Sequence, residues 1–325
     1  MSLNPSQSRK ALTWSVEYEA TCFEQLAEQL IPKFQATLIE EDLNDNLKSE
    51  LLNLYIPLAD WMASKEIAYP LIIGVNGAQG SGKSTLCRIL KPILEDGFNK
   101  SVLCLSLDDF YFSKKKRLDL ASTVHPLLET RGVPGTHDVE RLTSLLSHLK
   151  ENRSVNDLLI PVFDKSKDDV VAEAYWRKVD GIVDIVLLEG WCVGAKPQTS
   201  GQLEIPINIL EEKEDSTGYW REYVNNQLKG PYQTLFDLID CQVMLKVPDM
   251  ESVINWRCLQ EEKLAKKCKE EGFSETQLMS KNLIARFIMY FERITQECLQ
   301  NMPSTADLVL QLNHEHYVDN VIIKS

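Results

Sequence analysis

The chain has 325 residues, 44% of them hydrophobic, and a formal net charge of −13. The hydrophobic share is enough for a sizeable core, and the acidic balance argues against general attraction to nucleic acid or anionic membrane, so any anion site has to be built locally. Eight cysteines are scattered without a C-x-x-C pair; several sit in apolar runs (Cys87, Cys104, Cys192, Cys241), which reads as buried thiols in a reducing cytosol and not as a disulfide framework or zinc site.

Residues 1–13 are polar and lack the apolar stretch of a signal peptide, and no apolar run approaches the length of a membrane span. The expectation is a soluble cytoplasmic protein. From Val16 to about Ser64 the pattern is helical. Phe23, Leu26, Leu30 and Phe34 share one stripe, and Leu51, Leu52, Tyr55, Leu58 and Met62 share another. Such stripes are usually core, so residues 1–66 read as a helical extension packed on a main domain at 67–325. A partner-binding helix pair is the functional alternative.

The main domain opens on Leu71–Val75, an apolar run of buried-strand type. It leads into Gly77, Ala78, Gln79, Gly80, Ser81, Gly82, Lys83, Ser84 and Thr85, a full match to G-x-x-x-x-G-K-[ST]. Leu86, Ile89, Leu90 and Ile93 follow at helical spacing. Strand, glycine turn and helix together are the context a phosphate loop requires. The glycines let successive N–H groups face phosphate oxygens, and the helix N-terminus adds partial positive charge. Lys83 is expected on the β- and γ-phosphates and the Ser84 hydroxyl on Mg2+. Pro92 is expected to bend or shorten the helix.

Further strand candidates are Val102–Leu107, Leu158–Val162, Ile182–Leu188, Cys241–Val247 and Asp307–Leu312, with helical segments between them such as Val139–Leu149 and Val253–Lys269. Strands of this type, apolar on both faces, indicate a mostly parallel sheet covered by helices on each side. The expected fold is α/β, a three-layer phosphate-loop NTPase fold plus the N-terminal extension. Ligands are expected outside the carboxyl ends of the strands. Residues 211–232 read as an excursion, part helix and part loop.

The acids at those strand ends are the next signal. The second strand runs into Asp108, Asp109, Phe110 and Tyr111, and its end is expected beside the phosphate loop. There Asp108 can accept the proton of an attacking hydroxyl or hold Mg2+ through water; the alternative is a solvated Asp pair opening a turn. Glu189 ends a later strand, as a metal-side carboxylate does, although a lone strand-end Glu is also a common cap. Arg131-Gly-Val-Pro-Gly-Thr-His137-Asp138 supplies a tight turn with positive φ at Gly135, and Thr136 or Asp138 can cap the helix that follows. In the functional reading Arg131 meets a carboxylate or phosphate, and His137 and Asp138 meet hydroxyls. Lys165 is a second cation, after Phe163-Asp164.

Taken together, Gly-x-x-Gly-Ser-Gly-Lys-Ser-Thr, Asp-Asp-Phe-Tyr, Arg-Gly-x-Pro-Gly-Thr-His-Asp, Asp-Lys-Ser and Glu-Gly-Trp resemble the D-glycerate 3-kinase family in order and spacing, from about Leu71 to Leu312. Those proteins belong with the uridine, pantothenate and phosphoribulose kinases. The resemblance implies an ATP-dependent kinase that moves the γ-phosphate to a hydroxyl of a small acid, D-glycerate first. Lys83, Asp108, Glu189 and Arg257 would form its catalytic set, with Arg257 on a lid. Ser84, Asp108 and Glu189 would lie around Mg2+. Asp109, Tyr111, Arg131, His137, Asp138 and Lys165 would face the acceptor. The partners are then ATP and a small molecule, with no nucleic acid and no membrane.

One departure stands out. The family carries Gly-x-Gly-Asp-Arg after Asp-Lys-Ser, whereas here Lys167, Asp168, Asp169 and Val170 follow. Arg177 and Lys178 are the candidate replacement cations. A sugar acid, nucleoside or pantothenate-like acceptor remains an alternative, as does an ATP-regulated binding module acting through the N-terminal helices. Asn313 and His314 point to the nucleotide base.

Overall fold

The computed structural model describes residues 12–14, 23–41, 43, 48–65, 70–152, 154–271 and 279–324. The helical reading over 16–22 and the boundary at 66/67 lie outside the described residues.

Eleven strands are described: β1 Thr13–Trp14, β2 Leu71–Gly77, β3 Val102–Ser106, β4 Ser154–Ile160, β5 Phe163–Asp164, β6 Asp169–Val170, β7 Arg177–Ile182, β8 Ile185–Gly190, β9 Cys241–Lys246, β10 Leu308–Leu312 and β11 Val318–Ile323. Seven of them form one sheet in the order β1-β11-β10-β9-β2-β8-β3. The five from β3 to β10 run parallel, β11 turns back antiparallel on β10, and β1 lies parallel to β11.

Alternation along the parallel strands feeds two cores. Ile73, Val75, Leu187, Val243 and Leu310 face one, and Ile72, Val186, Leu188, Met244 and Val309 face the other. Helices cover both faces, so these strands are apolar along most of their length and carry polar residues chiefly toward their ends, such as Asn76, Ser106 and Glu189. That is the physical reason they read as continuous hydrophobic runs. Helix Glu24–Glu40 buries Ala27, Leu30, Phe34 and Leu38, in the same core as Leu86, Ile89 and Leu90 of the helix after the phosphate loop. No described helix is long and apolar enough to cross a membrane.

Two expectations need correction. The run Leu158–Val162 does not join the central sheet: β4 pairs with β7 in a separate antiparallel hairpin with a register break between Val155 and Leu158. Asn156 and Asp157 in β4 explain this, because a central parallel strand must be apolar on both faces. Second, β8 lies between β2 and β3, so the Glu189 strand is the direct neighbour of the phosphate-loop strand and the Asp108 strand is one further out. Residues 211–232 are part helix and part loop as expected: Ile209–Glu214 and Tyr219–Gln227 flank a loop at 215–218, and the wider turn Leu228–Tyr232 follows. Pro92 acts as expected: the α-helix stops there and continues as a π-type turn, Ile93–Gly97.

Candidate active site

The carboxyl ends of β2, β8 and β3 bring three motifs together. At β2, Gly80 (φ 78°) and Gly82 (φ 92°) adopt the left-handed conformation that curls the phosphate loop. A Cβ on Gly77 would stand 2.5 Å from Ser81 Oγ, so this position has no room for a side chain. Both amide atoms of Gln79, and Ser81 Oγ, are buried without a protein partner. Buried polar atoms are normally paired, and three orphans in one loop mark a cavity that awaits a polar ligand. Lys83 folds back and donates to Ala78 O at 3.0 Å. Burial lowers its pKa, opposed by the negative charges of Glu189 and Asp108.

Ser84 Oγ donates to Glu189 Oε1 at 2.8 Å. Glu189 is buried and sits in register with Val75 of β2 and Ser106 of β3. One hydroxyl and one carboxylate are hard oxygen donors, which suits Mg2+ if nucleotide phosphates and water complete the shell. Among the described residues no cluster of three or more His, Cys, Asp or Glu forms a self-sufficient metal site, so the donor set fits an ion that arrives with the nucleotide. Thr85 turns away: its Oγ1 donates to Glu41 Oε2 at 2.9 Å, and Glu41 also pairs with Arg88.

Asp108 is the second residue of a short 3-10 turn, Leu107–Phe110, after β3. Its Oδ1 accepts from Tyr111 Oη at 2.8 Å and its Oδ2 from Lys165 Nζ at 2.7 Å. Burial alone would raise its pKa, but the Lys165 charge and these two hydrogen bonds outweigh it and hold the carboxyl down at about 2. Next to it, burial pushes Asp109 up to about 6 against the opposing charge of Arg177. Arg177 itself donates to Cys104 O at 2.7 Å, while Lys178 pairs with Asp157 at the far side of the β4–β7 hairpin.

The Arg131–Asp138 block is mostly scaffold. Residues 132–137 are buried. Gly132 N donates to Thr136 Oγ1 at 3.0 Å, and Trp191 Nε1 of the Glu-Gly-Trp motif donates to Gly132 O at 2.8 Å. Asp138 Oδ1 accepts from Arg141 N at 3.2 Å as the N-cap of helix Val139–Glu151. The block thereby presents His137, which stacks on Tyr111 with ring centroids 4.5 Å apart. Gly135 N donates to Tyr232 Oη at 3.1 Å, and Tyr232 Oη lies 2.5 Å from His137 Nδ1. With Tyr232 Oη already accepting from Gly135 N, we assign its proton to the bond with Nδ1 and the ring's own proton to Nε2. That Nε2 is buried with no partner. Burial lowers the His137 pKa to about 4, partly offset by Asp108, so at neutral pH it is a neutral ring with one unused donor.

Comparison with known proteins gives the family. No family model matches the chain. It is 32% identical over 254 residues to the uncharacterized kinase mug58 of Schizosaccharomyces pombe, an alignment covering 75% of this chain and 89% of that one. It is 28% identical over 300 residues to the chloroplastic D-glycerate 3-kinase of Arabidopsis thaliana, covering 86% of this chain and 61% of the plant protein's length. Among solved structures, D-glycerate 3-kinase from Cryptococcus neoformans var. grubii superposes with a TM-score of 0.64 at 25% identity, over 85% of this chain and 99% of that one. The chain belongs to the D-glycerate 3-kinase family of phosphate-loop kinases.

Against the D-glycerate 3-kinase pattern, the departure after Ser166 is a tight hairpin. Strands β5 and β6 pair directly (Phe163 with Val170, Asp164 with Asp169), and residues 165–168 form the turn. Its two ends carry opposite charges into the site: Lys165 to Asp108, and Asp168 to Arg131. Phe163 lies edge-on to Tyr111, with the Arg131 guanidinium 5.4 Å from its ring centroid.

On the nucleotide side, Arg257 lies on helix Met250–Glu271 and pairs with Glu261 at 2.6 Å. The preceding Trp256 packs on Gly80, where an added Cβ would stand 3.2 Å from it. Trp256 also stacks on His316, with centroids 4.0 Å apart. A cavity of about 980 Å³ opens here, lined in part by Ser81, Gly82, Thr85, Asn313, His314 and His316. His314 Nδ1 lies 3.1 Å from Ser252 Oγ and Asn313 Nδ2 donates to Asp319 Oδ1 at 2.9 Å, so both brace the β10–β11 hairpin. Sequence reasoning missed three contributors: Tyr232, Asp168 and the Trp256–His316 stack. Each depends on a partner more than 30 residues away, to which a local pattern is blind.

Proposed function

We propose that this chain transfers the γ-phosphate of ATP to a hydroxyl of D-glycerate. The kinase class comes with family membership; the acceptor and the residue roles are the proposal. The observation that carries it is the convergence of Asp108, Lys165, Arg131 and the unpaired Nε2–H of His137 beside a phosphate loop whose own polar atoms are orphaned.

Lys83 leaves Ala78 O for the β- and γ-phosphate oxygens, a short swing for a flexible side chain. Ser84 and Glu189 would hold Mg2+, which supplies charge neutralisation of the phosphates when bound. Arg257, one residue from the Trp256 that packs on the loop, closes from the lid helix. Asp108 orients the acceptor hydroxyl. A carboxyl with a pKa of about 2 is a weak base, which suits a loose transition state in which positioning matters more than early proton removal. His137 Nε2–H, Tyr111 and the cations Lys165 and Arg131 then address the acid's remaining oxygens, with Asp109 at the edge of the site. Asp138 is left to its helix cap.

Six described cysteines are free, which supports a reducing compartment, here the cytoplasm. The division at 66/67, with 67–325 as the kinase unit including lid and acceptor insertions, is part of the same reading. The packing of the extension on that unit is supported by the shared core of Leu30, Phe34 and Leu90. The absence of Gly-x-Gly-Asp-Arg favours one competing reading, a different small acceptor. An ADP-release assay with D-glycerate, pantothenate, uridine and sugar acids separates the two. Robust D-glycerate-dependent release is expected; release with another acceptor and none with D-glycerate would overturn the glycerate assignment.

A further inference from the structure

The hairpin turn that stands where the family has Gly-x-Gly-Asp-Arg places a carboxylate on the cation best suited to an acid acceptor. Asp168 Oδ1 pairs with Arg131 Nη1. Asp168 Oδ2 lies 3.0 Å from Arg117 Nη2, and Asp168 O accepts from the same nitrogen at 2.6 Å. Arg117 is buried and already committed, its Nε to Phe112 O at 3.2 Å and its Nη1 to Glu129 O at 2.7 Å. It cannot turn to a substrate, and it pins Asp168 through both backbone and side chain. Asp168 holds this position at φ 55°, a left-handed backbone that Asp, Asn and Gly tolerate best. The turn is therefore built around its carboxylate and is not a loosely folded stub.

The electrostatic consequence follows from charge counting. Arg131 alone would offer a full positive charge to an acceptor's carboxylate through paired N–H donors. With Asp168 fixed against it, one of those donors is taken and part of the charge is offset, the one carboxylate being shared between Arg131 and the buried Arg117. We propose that Asp168 determines acceptor specificity by standing in for the acceptor's carboxylate at Arg131. The acid group of an acceptor then contributes less to binding than it would at an unpaired Arg131, which narrows its advantage over a neutral polyol of the same size. This rests on the reading of Arg131 as an acceptor contact.

Two variants test it with residues that accept the positive φ, Asp168→Asn and Asp168→Gly; both keep the backbone carbonyl that Arg117 Nη2 bonds, and circular dichroism checks that the fold is kept. KM for D-glycerate and for glycerol is measured with saturating ATP, and D-glycerate binding is measured by calorimetry with a non-hydrolysable ATP analogue. In both variants the D-glycerate KM and dissociation constant should fall about tenfold, the size expected for freeing one partly exposed charge-assisted pair, while the glycerol KM stays within about twofold. The gain should vanish in the double variant with Arg131→Gln. Unchanged or weaker D-glycerate binding in both single variants overturns the proposal. If wild type binds D-glycerate without turning it over, the glycerate assignment fails, yet tighter binding in the variants still supports the role of Asp168.

Discussion

The two halves of the site differ in how their polar groups are satisfied. On the donor side, Gln79 and Ser81 keep buried polar atoms without partners and Lys83 rests on a backbone carbonyl. On the acceptor side nearly every charge is already matched: Asp108 by Lys165, Arg131 by Asp168. An orphaned buried group costs roughly 1–3 kcal/mol, so the donor half is held ready and gains by ligand binding. The acceptor half has to exchange internal pairs for substrate pairs, which makes it the half where selectivity is set. Binding on one side is preorganised; on the other it is competitive.

The largest effect should come from breaking the donor half. Lys83→Ala removes the one flexible cation of the phosphate loop and should lower kcat/KM on the order of 1,000-fold, in the range seen when a preorganised transition-state donor is lost. Asp108→Asn should lower kcat about 100-fold, the lower end for a positioned acid–base group. Steady-state ADP release measures both, with circular dichroism as the check on folding. Near-normal kcat in Asp108→Asn would remove Asp108 from the mechanism and leave the acceptor hydroxyl to be positioned by Lys165 alone.

How much of this was legible in the sequence depends on how local each signal is. The phosphate loop was readable because strand, glycine turn and helix fall within about two dozen consecutive residues. Glu189 and Asp108 were readable because each ends an apolar run. The order of those strands was not, since nothing in β3 or β8 alone says which lies next to β2. The β4 segment misled for a similar reason: Leu158–Val162 looks central when Asn156 and Asp157 are left outside the window. Of the two readings of the Arg131–Asp138 block, turn and cap or recognition, Gly132, Thr136 and Asp138 follow the first and hold backbone and helix together. Its functional tip, His137, owes its tautomer to Tyr232, 95 residues later. The absence of Gly-x-Gly-Asp-Arg was legible, but only the fold brings Asp168 onto Arg131 and Arg117.

A middle-sized effect should sharpen the acceptor half. Tyr232→Phe removes the proton donated to His137 Nδ1, so the ring can place its own proton there and lose the Nε2–H donor. KM for the acceptor should rise about tenfold with kcat changed less, and the nitrogen-15 spectrum of His137 should report the altered tautomer. A purely structural loss would lower stability without that spectral change. His137→Gln, which keeps an N–H donor, should retain more activity than His137→Ala.

The smallest effect tests whether neighbouring acids in the site are held in opposite ways. Asp109 has its pKa raised by burial to about 6, so its ionisation is disfavoured in the folded state. Near pH 3 it is protonated both folded and unfolded, and above pH 6 it is ionised in both, so the folded protein bears the full penalty only above pH 6. Asp109→Asn should therefore raise Tm by about 2 °C at pH 7.5 and leave it unchanged near pH 3. Asp108 has the opposite sign: its pKa is held at about 2, so it contributes stability above the unfolded value near 4 that is lost as pH falls toward 2. Asp108→Asn should lower Tm at pH 7.5, with the difference shrinking toward pH 2. Thermal melts of the two variants across that range should move in opposite directions. Equal shifts of the same sign would mean that the Lys165 pairing and the burial of Asp109 do not separate the two carboxylates, and the contrast between them would dissolve.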